Sequence, residues 1–447
     1  MTNFRKFEIR DSQSVSILMN KEKNYKIYRE RLKYLDQLNL KKITILINGT
    51  ESENLNIRRW IQEDQLRIDV VISKFKIHRT KASRFIDKRV HHLNRLRFNV
   101  LLLKRYPCGH SKDSKLIQSK RMFFNKLLSK STKYLGFTQK LAKLEMESKA
   151  IKVLRKSDLI FFTFPVQQKS SEWQCRLVSW CAGRGVRCIF LVASWDNLTN
   201  RVPSAFGLPG EIVVWAQWQG EQAIELWGYN SNNVYTFNPL ILLPKVFSVE
   251  EIEARSQKNL MNSLNVGYLG SSSGVIDPDI EFNLIKNLIE LLSDLQKNER
   301  VKNVALSIRI HPLLVSGKTG INFDDLNLSQ EIQCRFLQPE GQLGTIFKDE
   351  DVADLSNFIC DSDVLIGINT STMIEAQAGG AVVIAMPSSV CDKYVNHNFH
   401  AKQAEESEIY LLPATFIEMK ELLIGIVEGH RNCLDLTINA RRFLGSE

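Results

Sequence analysis

Residues 361–387 read DSDVLIGINTSTMIEAQAGGAVVIAMP and predict a strand, a helix and a second strand in succession. The apolar run 364–368 is short and bounded by polar residues, which is typical of a buried parallel strand. The polar residues after it favour a helix start, and Glu375 follows Thr372 by three positions, the spacing of a capping box. The glycine pair 379–380 ends that helix, and the apolar residues that follow predict the next strand.

The start of this helix is a candidate phosphate site. A helix that begins at the carboxyl end of a parallel strand presents unpaired backbone N–H groups and the positive end of its dipole. The hydroxyls of Thr370, Ser371 and Thr372 would add donors, and Glu375 could accept hydrogen bonds from a ribose or a sugar. An ordinary capped crossover helix, in which Glu375 only closes the capping box, is the alternative.

These residues together resemble the C-terminal half of GT-B glycosyltransferases, in particular the bacterial surface-polysaccharide enzymes that include sialyl-, Kdo- and polyol-phosphate transferases. Those families often carry a His-Pro dipeptide after an earlier strand, and here His311-Pro312 follows the predicted strand 304–310. The resemblance implies that His311 contacts the nucleotide phosphate and stabilises the leaving group through an imidazole N–H. A purely structural histidine at a strand end is the alternative.

Length and composition set the class of protein. A chain of 447 residues favours two domains, and 44% hydrophobic with 24% charged residues is typical of a globular protein. No apolar run reaches roughly 18 residues, and the N-terminal residues lack the apolar centre of a signal peptide, so we expect a cytoplasmic protein. The eight cysteines form no CxxC pair, which argues against a zinc site and a disulfide framework.

The positive charge is concentrated at one end of the chain. Residues 1–156 contain 38 Lys and Arg against 14 Asp and Glu, a net charge of +24, whereas the remainder carries −13. Such asymmetry indicates a polyanionic partner: an anionic membrane surface, an acidic glycan, a lipid phosphate or nucleic acid. Lysines solvated on long helices are the alternative. Nucleic acid is not favoured, because the basic part lacks an RRM, KH or zinc-finger pattern.

The basic part also carries the first predicted elements. Residues 42–47 predict the first buried strand, and residues 66–73 and 98–103 predict two more. From about residue 115 to residue 156 the apolar spacing predicts helix. The cation-rich residues 74–97 are a candidate acceptor-facing or membrane-facing element. The basic helix predicted at 115–156 could lie on a bilayer, and a helix packed on the sheet, which shows the same pattern, is the alternative.

An α/β alternation follows, with strands predicted at 158–164 and 185–192 around a helix at 173–181. The string SWDNLT comes next, at the carboxyl end of a strand. Asp196 is the candidate general base for an acceptor hydroxyl, and Trp195 could stack on a sugar or raise the pKa of Asp196 by partly desolvating it. Asn197 completes this acceptor side, and an Asx-turn is the alternative. The surrounding residues 190–240 are similar to a pattern in uncharacterised surface-carbohydrate transferases.

The pattern breaks at Asn238-Pro239, which places a domain boundary near residue 240. Residues 1–240 would form an acceptor-side Rossmann-like domain, and residues 241–447 a donor-binding one. In the second, a predicted strand at 265–269 opens onto GSSSG, whose Ser271, Ser272 and Ser273 could approach a phosphate closely. The loop is no P-loop because it lacks GK[ST], and a flexible surface loop is the alternative.

The fold class predicted from these observations is α/β, with the GT-B arrangement of two Rossmann-like domains whose parallel sheets face a central cleft. The resemblance implies a metal-independent glycosyltransferase that moves a sugar or polyol phosphate from a nucleotide-activated donor to a cell-surface glycan or lipid-linked acceptor. The nucleotide sugar is a co-substrate, and no other cofactor is implied. The donor-binding residues would be Ser271, Ser272, Ser273, His311, Thr370, Ser371, Thr372 and Glu375.

Two further interpretations stay open. A relative of UDP-N-acetylglucosamine 2-epimerase would have the same fold and need no acceptor. A nucleic-acid-binding or structural protein would use the basic segment instead. Asp361-Ser362-Asp363 has the letters of a metal-binding DxD element, but it precedes its strand and is predicted to be a turn at the far end of the sheet.

Overall fold

The structure is a computed structural model in which the chain divides into two compact units, Met1–Asn238 (unit 1) and Pro239–Glu447 (unit 2). The residues that it describes are 4–11, 13–21, 24–79, 87, 91–92, 94–99, 101, 142–163, 172–193, 197–204, 207–237, 243, 245–271, 276–309, 311, 332–337, 349–368, 370–394, 404, 406–429 and 434–445. The division lies at the Asn238-Pro239 step, where the sequence pattern breaks.

Unit 1 is built on a parallel sheet. Its strands are β1 (Arg5–Lys6), β2 (Ser14–Met19), β3 (Lys42–Asn48), β4 (Ile68–Ser73), β5 (Phe75–Arg79), β6 (Ala142–Met146), β7 (Leu159–Phe162), β8 (Arg187–Leu191), β9 (Glu211–Val214) and β10 (Val234–Thr236). Its helices are α1 (Asn24–Gln37), α2 (Ile57–Glu63), α3 (Ser148–Arg155), α4 (Glu172–Ala182), α5 (Asn197–Asn200) and α6 (Gln217–Trp227).

The sheet order in unit 1 is β1-β10-β9-β8-β7-β2-β3-β4, and every pairing is parallel. β5 and β6 form a separate antiparallel pair. The strands at the centre of the sheet are buried on both faces, since β7 is buried throughout and β2 from Val15 onwards. Continuous apolar runs are what a parallel sheet covered on both sides requires.

Unit 2 is a smaller parallel α/β unit. Its strands are β11 (Leu264–Leu269), β12 (Val304–Arg309), β13 (Gln333–Leu337), β14 (Val364–Gly367) and β15 (Val383–Ala385). Its helices are α7 (Val249–Gln257), α8 (Pro278–Lys297), α9 (Asp349–Asp361), α10 (Ser371–Gly379), α11 (Ser388–Tyr394), α12 (Phe416–Val427) and α13 (Leu434–Leu444). The strand order is β13-β12-β11-β14-β15, again parallel throughout.

Close packing in unit 2 depends on two glycines. A Cβ atom on Gly267 of β11 would lie 2.4 Å from Ser362 Oγ and 2.8 Å from Phe358 Cζ, so the absence of a side chain lets the end of α9 rest on the strand. A Cβ atom on Gly379 would lie 2.2 Å from the carbonyl oxygen of Lys245. The segment before α7 therefore crosses directly over the end of α10.

The predicted fold class, α/β with two Rossmann-like parallel sheets, is confirmed by the strand pairing. The strand, helix and strand within 361–387 are also confirmed, and α10 ends at the predicted glycine pair, with Gly380 as a left-handed C-cap at φ 104°. Asp363 lies at the amino end of β14, the far end of the sheet, as predicted, whereas Asp361 is the last residue of α9 and not part of a turn. The Asp363 carboxylate accepts from Asn265 N–H at 2.8 Å and contacts Lys258 Nζ at 2.7 Å.

Three predictions about the basic part are wrong. The strand at 42–47 is not the first, because β1 and β2 precede it. Ser16 interrupts the apolar run of β2, but it can be buried in the sheet because its hydroxyl shares a hydrogen bond of 2.6 Å with the hydroxyl of Ser157. Of the strand predicted at 98–103, residues 98, 99 and 101 are helical. Within the helix predicted from about residue 115 to residue 156, residues 142–146 instead form a strand that pairs with β5, and Ser148–Arg155 is helical as predicted. Strand pairing overrides the helical composition of residues 142–146. Residues 102–141 lie outside the described residues.

Candidate functional site

Three strands of unit 2 end side by side at one edge of the sheet. In the strand register, Leu269 of β11 lies opposite Arg309 of β12 on one side and Gly367 of β14 on the other. The residues that follow these positions therefore leave the sheet at the same level. From β11 the chain continues to β12 on one side of the sheet, and it later returns to form β14 on the other side of β11. The carboxyl end of β11 is therefore a topological switch point, the place where open α/β sheets bind ligands.

Ser271 connects the loop after β11 to the end of β14. Its hydroxyl donates to the carbonyl oxygen of Ile368 at 3.2 Å, and the residue is fully buried. Its backbone N–H donates to Oε1 of Glu281 at 2.7 Å. Both donors of Ser271 are used inside unit 2, so this serine holds the loop in place rather than presenting a hydroxyl at the surface.

Glu281 lies in α8 behind this loop and is only 3% exposed. Its Oε1 also accepts from the hydroxyl of Tyr268 at 3.0 Å, whereas Oε2 is buried and has no hydrogen-bond partner in the described part of the chain. Burial raises the pKa of Glu281 to about 7, although the bonds from Ser271 and Tyr268 favour the ionised form. A carboxyl group that can hold a proton near neutral pH therefore contacts the first residues of the loop.

Helix α10 begins at Ser371, with Thr370 as its N-cap. A threonine in this position ordinarily accepts a hydrogen bond from one of the first helical amides. Here the side chain of Thr370 makes no capping bond, and its Oγ1 is buried without a partner among the described residues. The Thr370 hydroxyl therefore lies at the start of the helix without the bond that a threonine N-cap usually makes.

The predicted capping box is wrong, because the helix starts earlier than the box requires. With Thr370 as the N-cap, the third helical residue is Met373 and Glu375 is the fifth. Glu375 is half-buried and too far along the helix to reach the N-cap amide in a capping box. Glu375 is therefore not part of a capping box.

His311 follows β12 at the same edge of the sheet. The residue is half-buried, and burial lowers the pKa of its imidazole. A neutral imidazole carries one N–H donor and one acceptor nitrogen. Because β12 and β14 flank β11, their ends are two strand spacings apart, about 10 Å. His311 and Thr370 therefore follow strands on opposite sides of Ser271.

The structure brings one group of predicted site residues together. The residues at the carboxyl edge of the unit 2 sheet are Ser271, His311, Thr370, Ser371, Thr372 and Glu375. Four others, Trp195, Asp196, Ser272 and Ser273, lie outside the described residues.

Asn197 lies in unit 1 at the start of α5. Its side-chain oxygen accepts from the backbone N–H of Ala193 at 3.1 Å, which closes the loop that follows β8. This is the local bonding of a turn-forming asparagine. The bond gives Asn197 a structural role in the loop that carries Asp196.

The residues missed by sequence reasoning are Glu281 and Tyr268. The sequence does contain a signal for Glu281. This residue precedes Leu284 and Ile285 by three and four positions and so lies on the apolar stripe of α8. A carboxylate on such a stripe is expected to have a buried partner. The partners themselves, in β11 and the loop after it, could not be identified from spacing.

Within the described ranges, no group of three or more His, Cys, Asp or Glu side chains is placed to hold a metal ion. None of the helices in the part of the chain that the structure describes is long and apolar enough to cross a bilayer.

The fold is similar to several solved structures over most of their length. UDP-GlcNAc 2-epimerase from Neisseria meningitidis, solved with UDP-GlcNAc, aligns over 97% of this chain and 96% of its own, with 10% identity and a TM-score of 0.48. MurG from Acinetobacter baumannii aligns over 96% and 95%, with 11% identity and a TM-score of 0.45. The wall teichoic acid polymerase TagF aligns over 98% and 86%, with 7% identity and a TM-score of 0.43.

With identities near 10% and TM-scores below 0.5, these matches do not bear on activity, substrate or mechanism. No protein-family model matches the sequence, and no curated protein matches it.

Proposed function

We propose that this chain is a GT-B glycosyltransferase that moves a sugar or polyol phosphate from a nucleotide-activated donor to a cell-surface glycan or lipid-linked acceptor. The observation that carries the proposal is the start of α10. There Thr370 Oγ1 is buried with no partner among the described residues, beside the first amides of a helix at the switch point of a parallel sheet. A donor phosphate would satisfy both the hydroxyl and the amides.

The other residues at this edge have complementary roles in the proposal. The N–H of a neutral His311 would donate to the departing phosphate, where negative charge develops. Glu375 would accept from a ribose or sugar hydroxyl. Ser271 would act as a positioning residue, because its two donors hold the loop that continues into Ser272 and Ser273.

The transfer step needs a base from the acceptor side, and Asp196 is the proposed base. In the case of a sugar donor, its carboxylate takes the proton of the acceptor hydroxyl while that oxygen forms a bond to the anomeric carbon. The bond from this carbon to the phosphate oxygen breaks, and the electron pair leaves with the nucleotide. Trp195 would partly desolvate Asp196 and so raise its basicity. The net charge of +24 on residues 1–156 suits an anionic acceptor and peripheral contact with an anionic membrane.

The experiment that tests the donor site is a thermal-shift titration of the full chain with CMP, CDP, UDP, GDP and dTDP. We expect one of these nucleotides to raise the melting temperature of the wild type and of Ser263→Ala, an exposed serine before β11. The same nucleotide should not stabilise Thr370→Val, which keeps the shape of the side chain and removes the hydroxyl. Equal stabilisation of all three proteins, or of none, would refute the proposed site.

The identified nucleotide then distinguishes transfer from epimerisation. The corresponding nucleotide sugar is incubated with the protein alone and with candidate acceptors, and nucleotide and sugar are followed by chromatography. A transferase releases nucleotide only when the acceptor is present. An epimerase converts the sugar without an acceptor, and RNA binding without nucleotide binding would support the nucleic-acid interpretation.

A further inference from the structure

Unit 1 contains a cavity of about 160 Å³ that the proposed donor site does not use. Its apolar wall is formed by residues of α1, by residues that directly follow the edge strands β1 and β10, and by residues of the central strands β7 and β8. These wall residues are Phe7, Leu35, Leu38, Phe161, Leu191 and Phe237. Two other lining residues, Glu8 and Tyr34, are exposed, so the cavity opens to the surface.

Arg31 is one of the residues that line this cavity, and its guanidinium is buried. The residue is 3% exposed, and its Nε and Nη1 are buried without hydrogen-bond partners in the described part of the chain. Nη2 donates to the carbonyl oxygen of Ala193 at 3.4 Å, a long bond. Most of the five N–H donors of this guanidinium therefore have no acceptor among the described residues.

No neighbouring group in the described chain neutralises Arg31. The rings of Tyr28 and Trp215 lie 5.3 Å and 5.7 Å from its guanidinium carbon and offer only a cation–π contact. The hydroxyl of Tyr28 donates to Thr163 at 2.9 Å, and burial raises its pKa, so it stays neutral. Glu8 lines the cavity but forms no ion pair with Arg31 within the described residues.

An isolated buried charge is costly unless an opposite charge and hydrogen bonds compensate it. Burial lowers the pKa of Arg31 to about 10, which leaves the side chain charged at neutral pH. Arginine presents a planar set of donors that matches a carboxylate or phosphate in two parallel hydrogen bonds. An oxyanion in the cavity would supply what the protein itself does not.

We infer that this cavity binds a small organic anion whose carboxylate or phosphate pairs with Arg31 and whose compact apolar body packs against Phe7, Phe161 and Leu35. The volume sets the size of that body. An apolar cavity of about 150 Å³ takes one benzene molecule, so a single ring or a branched chain of similar size fits here. The site lies wholly in unit 1 and does not depend on the proposed donor site.

The test uses fluorine NMR of 4-fluorobenzoate with the full-length protein. We expect saturable broadening of the fluorine signal, reversed by unlabelled benzoate and not by benzamide, which has the same ring and no charge. Arg31→Met keeps an apolar side chain and removes the charge, and should weaken binding about tenfold to a hundredfold, the range for losing a hydrogen bond to a charged group. Arg59→Met, an exposed arginine of α2, is the matched control and should bind like the wild type.

A second variant keeps the test decisive if Arg31→Met does not fold. Leu38→Trp would fill the cavity from its rim without touching the guanidinium, and should also abolish binding. Competition by phenyl phosphate that is stronger than that by benzoate would support the site and identify a phosphate headgroup. Equal competition by benzamide, unchanged binding to Leu38→Trp, or no binding of any aryl anion to the wild type would overturn the inference.

Discussion

The backbone N–H of Ser271 donates to Oε1 of Glu281 at 2.7 Å, and this bond joins the loop after β11 to the first turn of α8. The Ser271 hydroxyl holds the same loop to β14 through Ile368. The first residues of the loop are thus bound on both sides before the chain reaches Ser272. Because the carboxyl group involved has a pKa near 7, the charge beneath the loop depends on pH in the physiological range.

Glu281→Gln should change how stability depends on pH. The folded-state pKa of Glu281 is raised from 4.5 to about 7, so the folded state holds a proton that the unfolded state releases between these values. The stabilisation that comes from the proton on Glu281 is complete below pH 4.5 and is lost as pH rises through 7. The free energy of unfolding should fall by up to about 3 kcal/mol over this range. Gln mimics the protonated side chain and should remove this loss.

Urea unfolding at pH 5 and pH 8 measures this effect. Glu281→Gln should gain stability relative to the wild type at pH 8 and differ little at pH 5. Glu290→Gln, an exposed residue of the same helix, is the control and should keep the wild-type pH profile. The same pH profile in Glu281→Gln and wild type would contradict the burial argument.

Thr370→Val should separate stability from binding. The buried Oγ1 of Thr370 has no partner among the described residues, so replacing the hydroxyl with a methyl group should raise the free energy of unfolding by about 1 kcal/mol. Nucleotide binding should weaken in the same variant. Thr370→Ser retains the hydroxyl and should preserve binding; a Thr370→Val protein that is both less stable and fully able to bind would show that the hydroxyl is structural.

His311→Ala and His311→Gln test the imidazole as a neutral hydrogen-bond donor. Burial lowers the pKa of His311, so it is neutral at pH 7, and stability should fall as pH drops below the unfolded value of 6.5. Ala should weaken nucleotide binding about tenfold, whereas Gln supplies an N–H and should recover part of the affinity. Titration calorimetry at pH 7.5 measures both, and equal affinities for the two variants would exclude the proposed donor role.

Gly379→Ala should destabilise unit 2 strongly. The added Cβ would lie 2.2 Å from the backbone carbonyl of Lys245, which cannot move without displacing the segment before α7. Overpacking of this kind costs about 1–3 kcal/mol. Gly183→Ala is the control, because its nearest contact would be at 3.8 Å, and its thermal unfolding should match that of the wild type. A Gly379→Ala protein with wild-type stability would refute the close packing.

Local signals in the sequence determined the strand, helix and strand within 361–387. An apolar run, a change to polar residues and a glycine pair act through neighbouring backbone, so they can be recognised without a fold. The same signals indicated the alternation of strands and helices and hence parallel sheets in both units. They also made His311 and Thr370 candidates, since each comes shortly after a predicted apolar strand.

Only the tertiary structure decided what is buried and which groups meet. Ser271 and Ile368, which share a hydrogen bond, are 97 residues apart in sequence, and Arg31 and Ala193, which share another, are 162 residues apart. The pKa of Glu281 and the pairing of residues 142–146 with β5 likewise depend on distant neighbours. Burial and the pairing of hydrogen-bonding groups depend on the whole packed unit. A local sequence pattern therefore could not predict them.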